Sequence, residues 1–317
     1  MSFSLKVKDE LAKIIPTARH CQIAELAAIM AMCGRIYTTD EGEHYFKVSS
    51  ENRNVVCKCQ LLVKKIFGYE SESTVRYNID TKNRTYIMWI TESEKAIKIL
   101  LATKLMNQDG SINRDLSLVN TVVIQNMCCK RAYLRGAFLA GGSISDPEKS
   151  YHFEIVSSGE RKAGQILDSI NAFELDARIV ERRRYNVVYL KEGSHIVDML
   201  NVMGAHVSLM DLENVRILKE VRNSINRQVN CETANMGKTI QAAVKQIEDI
   251  HYIMDTVGLD SLNEGLREIA EVRLKYPDAS LKDLGELLTP AVGKSGVNHR
   301  LRKISQIAEE IRENKIV

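Results

Sequence analysis

The chain has 317 residues, 44% of them hydrophobic and 27% charged, an ordinary composition for a soluble globular protein. With 17 Gly and 4 Pro it is neither collagen-like nor a Pro/Gly-rich disordered chain, and no apolar run approaches the roughly 18 residues of a membrane span. The 44 Lys and Arg against 41 Asp and Glu leave a net charge of +3, weak by itself as a sign of an anionic partner.

The opening MSFSLKVKDELAK reads as a short amphipathic helix, with Ser4 as its expected N-cap and Pro16 beyond its end. It lacks the apolar stretch of a secretion signal, so a cytoplasmic location is expected. QIAELAAIMAMCGRIY follows, apolar nearly all round and closed by Gly34, the pattern of a buried helix. HYFKVSS then reads as a strand and NVVCKCQLLVKKIFG as a helix. TVRYNI and RTYIMWI alternate as strands around TKNR, and ESEKAIKILLATKLM is helical.

The same order returns in CCKRAYLRGAFLAGGSI (helix), YHFEIVS (strand), RKAGQILDSINAF (helix), ARIVERR and YNVVYL (paired strands) and SHIVDMLNVMG (helix). Gly34 and Gly142 are 108 residues apart, Phe46 and Phe153 107, Phe67 and Phe173 106. So constant an offset in matching elements argues for a duplication, with repeats at about 1–110 and 125–215 in a domain 1–215. Each apolar helix also holds small residues four apart, Ala27 with Ala31 and Gly136 with Ala140. Small residues let two helix backbones approach closely, which predicts a pair packed on a pseudo-two-fold axis.

From Asp211 onward strand signals stop. Residues 213–225 and 237–254 read as helices separated by NRQVNCETAN, whose polar side chains are expected to cap helix ends; 216–256 is thus a helical linker. The last part, 257–317, reads as three helices punctuated by Pro277 and Thr289-Pro290. Its charges are sorted: residues 257–290 carry 4 basic and 7 acidic side chains, and 294–303 carry 4 basic and none acidic. Ser280 begins a short helix bearing Leu281, Leu284, Leu287 and Leu288, and a second helix begins near Ser295, burying Val297, Leu301 and Ile304. That spacing is a helix-turn-helix. The open face of its second helix carries Lys294, Asn298, His299, Arg300, Arg302 and Lys303, cations for phosphates and Asn or Arg for base edges. With Ser280 and Ser295 these are the expected DNA-binding residues. In ARIVERRRYNVVYL, strand alternation places Arg182 and Arg184 on one face of a sheet, a possible DNA contact or a solvated or protein-binding face.

Seven cysteines (Cys21, Cys33, Cys57, Cys59, Cys128, Cys129 and Cys231) are an odd number without a CxxC pair, which indicates neither a disulfide framework nor a zinc ribbon. Cys57 and Cys59 are expected as buried thiols. None of His20, His44, His152, His195, His206 and His251 has metal-ligand spacing, so neither a metal site nor a cofactor is expected.

LAAIMAMCG (Leu26–Gly34) and LRGAFLAGG (Leu134–Gly142) resemble worn LAGLIDADG motifs of homing endonucleases. The resemblance implies two central helices flanked by antiparallel sheets, in αββαββα repeats: an α+β fold followed by the all-α helix-turn-helix. In those enzymes an Asp or Glu at the next-to-last motif position binds the catalytic metal; here Cys33 and Gly141 stand there. End to end, the chain resembles the WhiA family of transcription regulators of Gram-positive bacteria, in SFSLKVKDEL, the two worn helices, NRQVNCETAN with Lys238, and most specifically KSGVNHRLRK (Lys294–Lys303). That resemblance implies a non-enzymatic, nucleoid-associated regulator of sporulation, cell division or chromosome organisation. Its expected partners are double-stranded DNA and RNA polymerase or a sigma factor, with no membrane and no small-molecule substrate. The competing readings are a metal-dependent endonuclease using the displaced carboxylates Asp40 and Asp146, and a protein-binding scaffold. On the leading reading, replacing Arg300 or Arg302 by Ala weakens DNA binding and flattens its salt dependence, which titrations at several salt concentrations measure.

Overall fold

The computed structural model describes residues 2–79, 83–112 and 118–314. It divides into two compact units, Met1–Lys219 and Glu220–Val317. Thr81 and Lys82, within the expected TKNR turn, lie outside the described residues.

The first unit begins with α1 (Phe3–Lys13) and α2 (Arg19–Cys33), then β1 (Gly34–Thr38), β2 (His44–Ser50), α3 (Arg53–Phe67), β3 (Glu72–Tyr77), β4 (Arg84–Ile90) and α4 (Ser93–Ala102). The second repeat runs α5 (Met127–Gly141), β5 (Gly142–Ile144), β6 (Phe153–Ser157), α6 (Glu160–Asn171), β7 (Arg178–Arg182), β8 (Tyr185–Leu190) and α7 (Gly193–Met203). Two antiparallel sheets result, ordered β1-β2-β4-β3 and β5-β6-β8-β7. Identical order in both sheets establishes the duplication in three dimensions.

Alternation decides which side of each sheet is covered. Phe46, Val48, Met88 and Ile90 in the first sheet, and Phe153, Ile155, Val188 and Leu190 in the second, enter one continuous apolar core. α2 and α5 belong to that core on most of their circumference, which is why neither sequence shows a polar stripe. The two helices meet at Gly136. A Cβ there would lie 2.7 Å from the Glu25 carbonyl oxygen and 2.9 Å from the Ala28 Cβ. The small residue facing Gly136 is therefore Ala28, one position beyond the expected Ala27.

A charged trio crosses this interface. Glu25, wholly buried on α2, takes the Lys58 ammonium of α3 at 3.0 Å. Its carboxylate also accepts from Arg135 of α5 as a fork, Nε to Oε1 at 3.0 Å and Nη2 to Oε2 at 3.1 Å. The remaining donors close helix ends. Arg135 Nη1 donates to the Met203 carbonyl of α7 at 3.0 Å, and Lys58 Nζ donates to the carbonyls of Leu11, at 3.4 Å, and Ile14. Burial lowers the Lys58 pKa from its usual value, and Glu25 pulls against that shift.

Two local expectations change. Ser2, not Ser4, caps α1, its Oγ accepting from Leu5 N at 3.3 Å; Ser4 is inside the helix and its Oγ accepts from Ile144 N. Residues 213–254 form no pair of helices: α8 (His206–Thr256) is continuous. The polar stretch NRQVNCETAN contains no proline, and its side chains bond along the helix instead of capping an end. Gln228 Nε2 donates to Glu232 Oε1 at 3.0 Å and Asn235 Nδ2 to Cys231 Sγ at 3.7 Å, and just beyond the stretch Thr239 Oγ1 donates to the Asn235 carbonyl at 2.9 Å.

The second unit continues with α9 (Glu264–Lys275), α10 (Leu281–Glu286) and α11 (Lys294–Asn314). Its own core joins Ile250 and Ile253 of α8 to Leu266, Ile269, Leu284, Leu288, Val297, Leu301 and Ile304. Buried Arg273 ties α9 to Gln246, at 2.9 and 3.1 Å, and to the Ala279 carbonyl at 2.7 Å.

Glu25→Gln removes the charge that both buried cations face. Its expected cost is about 3–5 kcal/mol of first-unit stability, whereas Glu70→Ala, in the exposed Lys64–Glu70 pair, costs under about 1 kcal/mol. Denaturant melts of the full chain measure both.

Candidate nucleic-acid interface

α10 and α11 owe their placement to two local devices. Ser280 caps α10 in a reciprocal box: its Oγ accepts from Asp283 N at 3.3 Å, and its own N–H donates to Asp283 Oδ2 at 3.2 Å. The turn into α11 then folds tightly over Gly285, whose carbonyl accepts from Val292 N at 2.9 Å. A Cβ on Gly285 would lie 2.0 Å from the Val292 carbonyl oxygen, so no other residue fits without moving the turn. Val297, Leu301 and Ile304 are buried, which fixes the rotation of α11.

That rotation sorts the expected contact residues. Lys294, Ser295, His299, Arg302 and Lys303 are exposed, and Asn298 is half-buried beside them. Ser295, His299, Arg302 and Gln306 recur at helical spacing on one stripe. Arg300 does not share it. Its side chain turns into the unit, and Nη1 donates to the Gly265 carbonyl at the start of α9, at 3.3 Å. Ser280 is likewise engaged as a cap. The basic face is confined to the first half of α11; Glu309, Glu310 and Glu313 occupy the second.

On the first unit, Arg182 and Arg184 are not joined by strand alternation. β7 ends at Arg182, and Arg183 and Arg184 form the turn to β8, with Arg183 at φ +57°. Arg182 Nη1 is bonded to Glu154 Oε2 at 3.1 Å. Glu154 also accepts from His152 Nε2 at 3.0 Å and Ser143 Oγ at 3.0 Å. Partial burial opposes ionisation of Glu154, but these donors and the Arg182 charge outweigh it and hold the carboxyl below its usual range. The outward face of the other sheet carries a cluster that the sequence reading passed over. Tyr37 and Tyr45 stack at 5.1 Å, and the Lys47 ammonium lies 5.2 Å from the Tyr37 ring and 5.1 Å from Trp89. Its signal was the alternation of these residues along β1, β2 and β4.

The two next-to-last motif positions can be judged directly. Cys33 Sγ donates to the Ile29 carbonyl at 3.2 Å, and burial pushes its thiol up to about 12 against the opposing pull of Lys162. At Gly141 a Cβ would lie 2.6 Å from the Met32 Cε and 2.7 Å from the Val156 carbonyl oxygen. Asp40 is exposed in the turn after β1, a strand of five residues, about 15 Å of extended chain from the end of α2. Asp146 is exposed as well, and its Oδ1 accepts from Glu148 N at 3.0 Å. Among the described residues, neither aspartate joins a group of three or more converging His, Cys, Asp or Glu side chains; the group that does converge is His20, Cys21, Cys128 and Cys129.

A duplicated LAGLIDADG-like scaffold followed in one chain by a helix-turn-helix is the class these features define. Models of the WhiA N-terminal LAGLIDADG-like domain, the WhiA LAGLIDADG-like domain and the WhiA C-terminal HTH domain match residues 19–106, 130–222 and 225–308. A protein of Lachnoclostridium phytofermentans named probable cell division protein WhiA is 50% identical over 313 residues, 99% of this chain and 100% of that one. A protein of the same name from Alkaliphilus oremlandii is 51% identical over 319 residues, 100% of this chain and 99% of that one. The crystal structure of full-length DUF199/WhiA from Thermatoga maritima shares the fold, with a TM-score of 0.58 at 23% identity over 98% of this chain and 99% of that one. The chain belongs to the WhiA family.

Gly285→Ala is expected to lower the stability of the second unit by about 1–3 kcal/mol, because the added methyl overfills the turn. Thermal melts followed by circular dichroism, with Gly293→Ala, where a Cβ meets open space, as the control, measure it.

Proposed function

We propose that this protein is a sequence-specific DNA-binding regulator that does not cut DNA, with the first half of α11 entering the major groove. One observation carries the reading: burial of Val297, Leu301 and Ile304 turns Ser295, His299, Arg302 and Lys303 outward together. Exposed cations neutralise phosphates, and Arg302 and Asn298 are of the types that bond base edges in pairs. Lys294 and Lys303 are assigned to phosphates.

Ser280 and Arg300 hold the unit's own geometry in this reading. The Tyr37, Tyr45, Lys47 and Trp89 face supports a contact role for the scaffold, with aromatic rings and a cation presented together. Arg182 is already neutralised by Glu154, so Arg184, in the turn, is the freer candidate for a phosphate. The names of the relatives point the regulation toward cell division; sporulation and chromosome organisation belong to the same proposal, as do a nucleoid location and contact with RNA polymerase or a sigma factor. Loss of nuclease activity is supported by a protonated thiol at position 33 and by the lack of space for a side chain at 141. A thiol is a poor ligand for the hard cations that activate water in phosphodiester hydrolysis.

Arg302→Ala is expected to weaken binding about 10-fold or more and to relax the preferred sequence, Lys303→Ala to reduce the salt slope by about 1, and Arg300→Ala to lower second-unit stability and leave the slope near the parent value. Recovery and sequencing of sheared genomic DNA bound by the full chain in magnesium buffer is the deciding experiment. Intact fragments sharing a short motif support the regulator. Uniform recovery overturns sequence specificity, and new ends at defined positions overturn the loss of cutting.

A further inference from the structure

His20 and Cys21 lie in the first turn of α2, and Cys128 and Cys129 in the first turn of α5. His20 to Cys128 is 108 residues, and so is Cys21 to Cys129, the same offset as Gly34 to Gly142. The two pairs occupy matching positions in the repeats, and the pseudo-symmetric packing of α2 on α5 brings them together. One ligand atom from each of the four lies within 4.8 Å of all the others. His20 Nδ1 is 3.1 Å from Cys129 Sγ and 3.4 Å from Cys21 Sγ.

The two nitrogen–sulfur separations lie near the edges of a tetrahedral site, and the others are no longer than 4.8 Å. Zinc bonds of about 2.3 Å to sulfur and 2.0 Å to nitrogen give S–S edges of roughly 3.8 Å and N–S edges of roughly 3.5 Å. A contraction of about 1 Å at the longest separation brings all four side chains onto one ion. Cys21 and Cys129 are buried over a floor of Ala24 and Ala132, while His20 and Cys128 are exposed and leave an entry. Neither helix has a side-chain cap: Ala18 and Asn126 make no capping hydrogen bond. All four residues lie in first turns, and helix N-termini favour the negative charge of coordinated thiolates.

We propose that His20, Cys21, Cys128 and Cys129 bind one zinc ion that pins the N-terminal ends of α2 and α5 to each other. Three thiolates and an imidazole are soft ligands, which select zinc over magnesium. Four protein ligands close the coordination shell, the mark of a structural site and not a hydrolytic one. The site lies at the opposite end of both helices from Cys33 and Gly141, so it is separate from the worn nuclease positions.

The test uses the full-length protein, purified reduced and freed of loose metal by gel filtration. Its zinc is measured by mass spectrometry, and cobalt(II) is then added to stripped protein. About one zinc per chain is expected, together with cobalt absorption bands of thiolate charge transfer and tetrahedral geometry. Cys128→Ser, at the exposed rim, keeps the fold and is expected to weaken zinc at least about 100-fold against a chromogenic chelator. Cys231→Ser, on α8, is expected to retain the parent affinity. A chelator should lower the Tm of the parent and leave that of Cys128→Ser unmoved. Zinc well below one per chain after zinc is supplied, equal affinity in parent and Cys128→Ser, or a mass 2 Da low from a Cys21–Cys129 disulfide in protein purified without oxidant would each overturn the site.

Discussion

The Glu25 carboxylate is the constraint around which the first unit is arranged. It sits where α2 and α5 approach closely, wholly buried, and a buried charge calls for cations. Lys58 comes from within its own repeat and Arg135 from the other, so the carboxylate gains its full set of partners only when the two repeats are docked. Those cations have further donors, and each is used on a helix end: Lys58 on the carbonyls after α1, Arg135 on the end of α7. One buried acid thereby specifies the mutual placement of five helices. An apolar trio could fill the same space, but it would not say which helix end belongs where. The close approach at Gly136 puts the carboxylate and guanidinium within reach of a fork-like bond.

The second unit uses the same kind of device at smaller scale. Arg273 is buried and joins α8, α9 and the segment before α10 through Gln246 and two backbone carbonyls. Arg300 does so between α11 and α9. In both, a residue that counts as positive charge in the sequence is spent on architecture, and the first half of α11 keeps Lys294, Arg302 and Lys303 exposed with no acid among them. The contrast with Arg302, two residues on and about 200° around the helix, shows that the direction of a guanidinium matters more than its presence.

Most of the fold was legible because it is repetitive and periodic. The 108-residue offset, the two apolar helices and the strand pairs were all present in the chain order, whereas the order of strands within each sheet was not. Core residues of α11 followed from spacing alone. What stayed hidden depended on contacts across long separations. The inward turn of Arg300 needs Gly265, 35 residues away, and the pairing of Arg182 needs Glu154, 28 away. Convergence of His20 and Cys21 on Cys128 and Cys129 has no local spacing to betray it; it follows only from applying the duplication offset to those positions. The single long α8 was missed for a different reason, since Asn and Thr favour caps in isolation yet bond along a helix once neighbours sustain it.

Gly141 carries a consequence of another kind. Beside Val156 and Met32 the polypeptide has no room for even the first carbon of an aspartate side chain. An acid could stand there only after strand β6 and the end of α2 had been repacked, and those changes bring no benefit until the acid arrives. The position is closed to a carboxylate by packing rather than by chemistry.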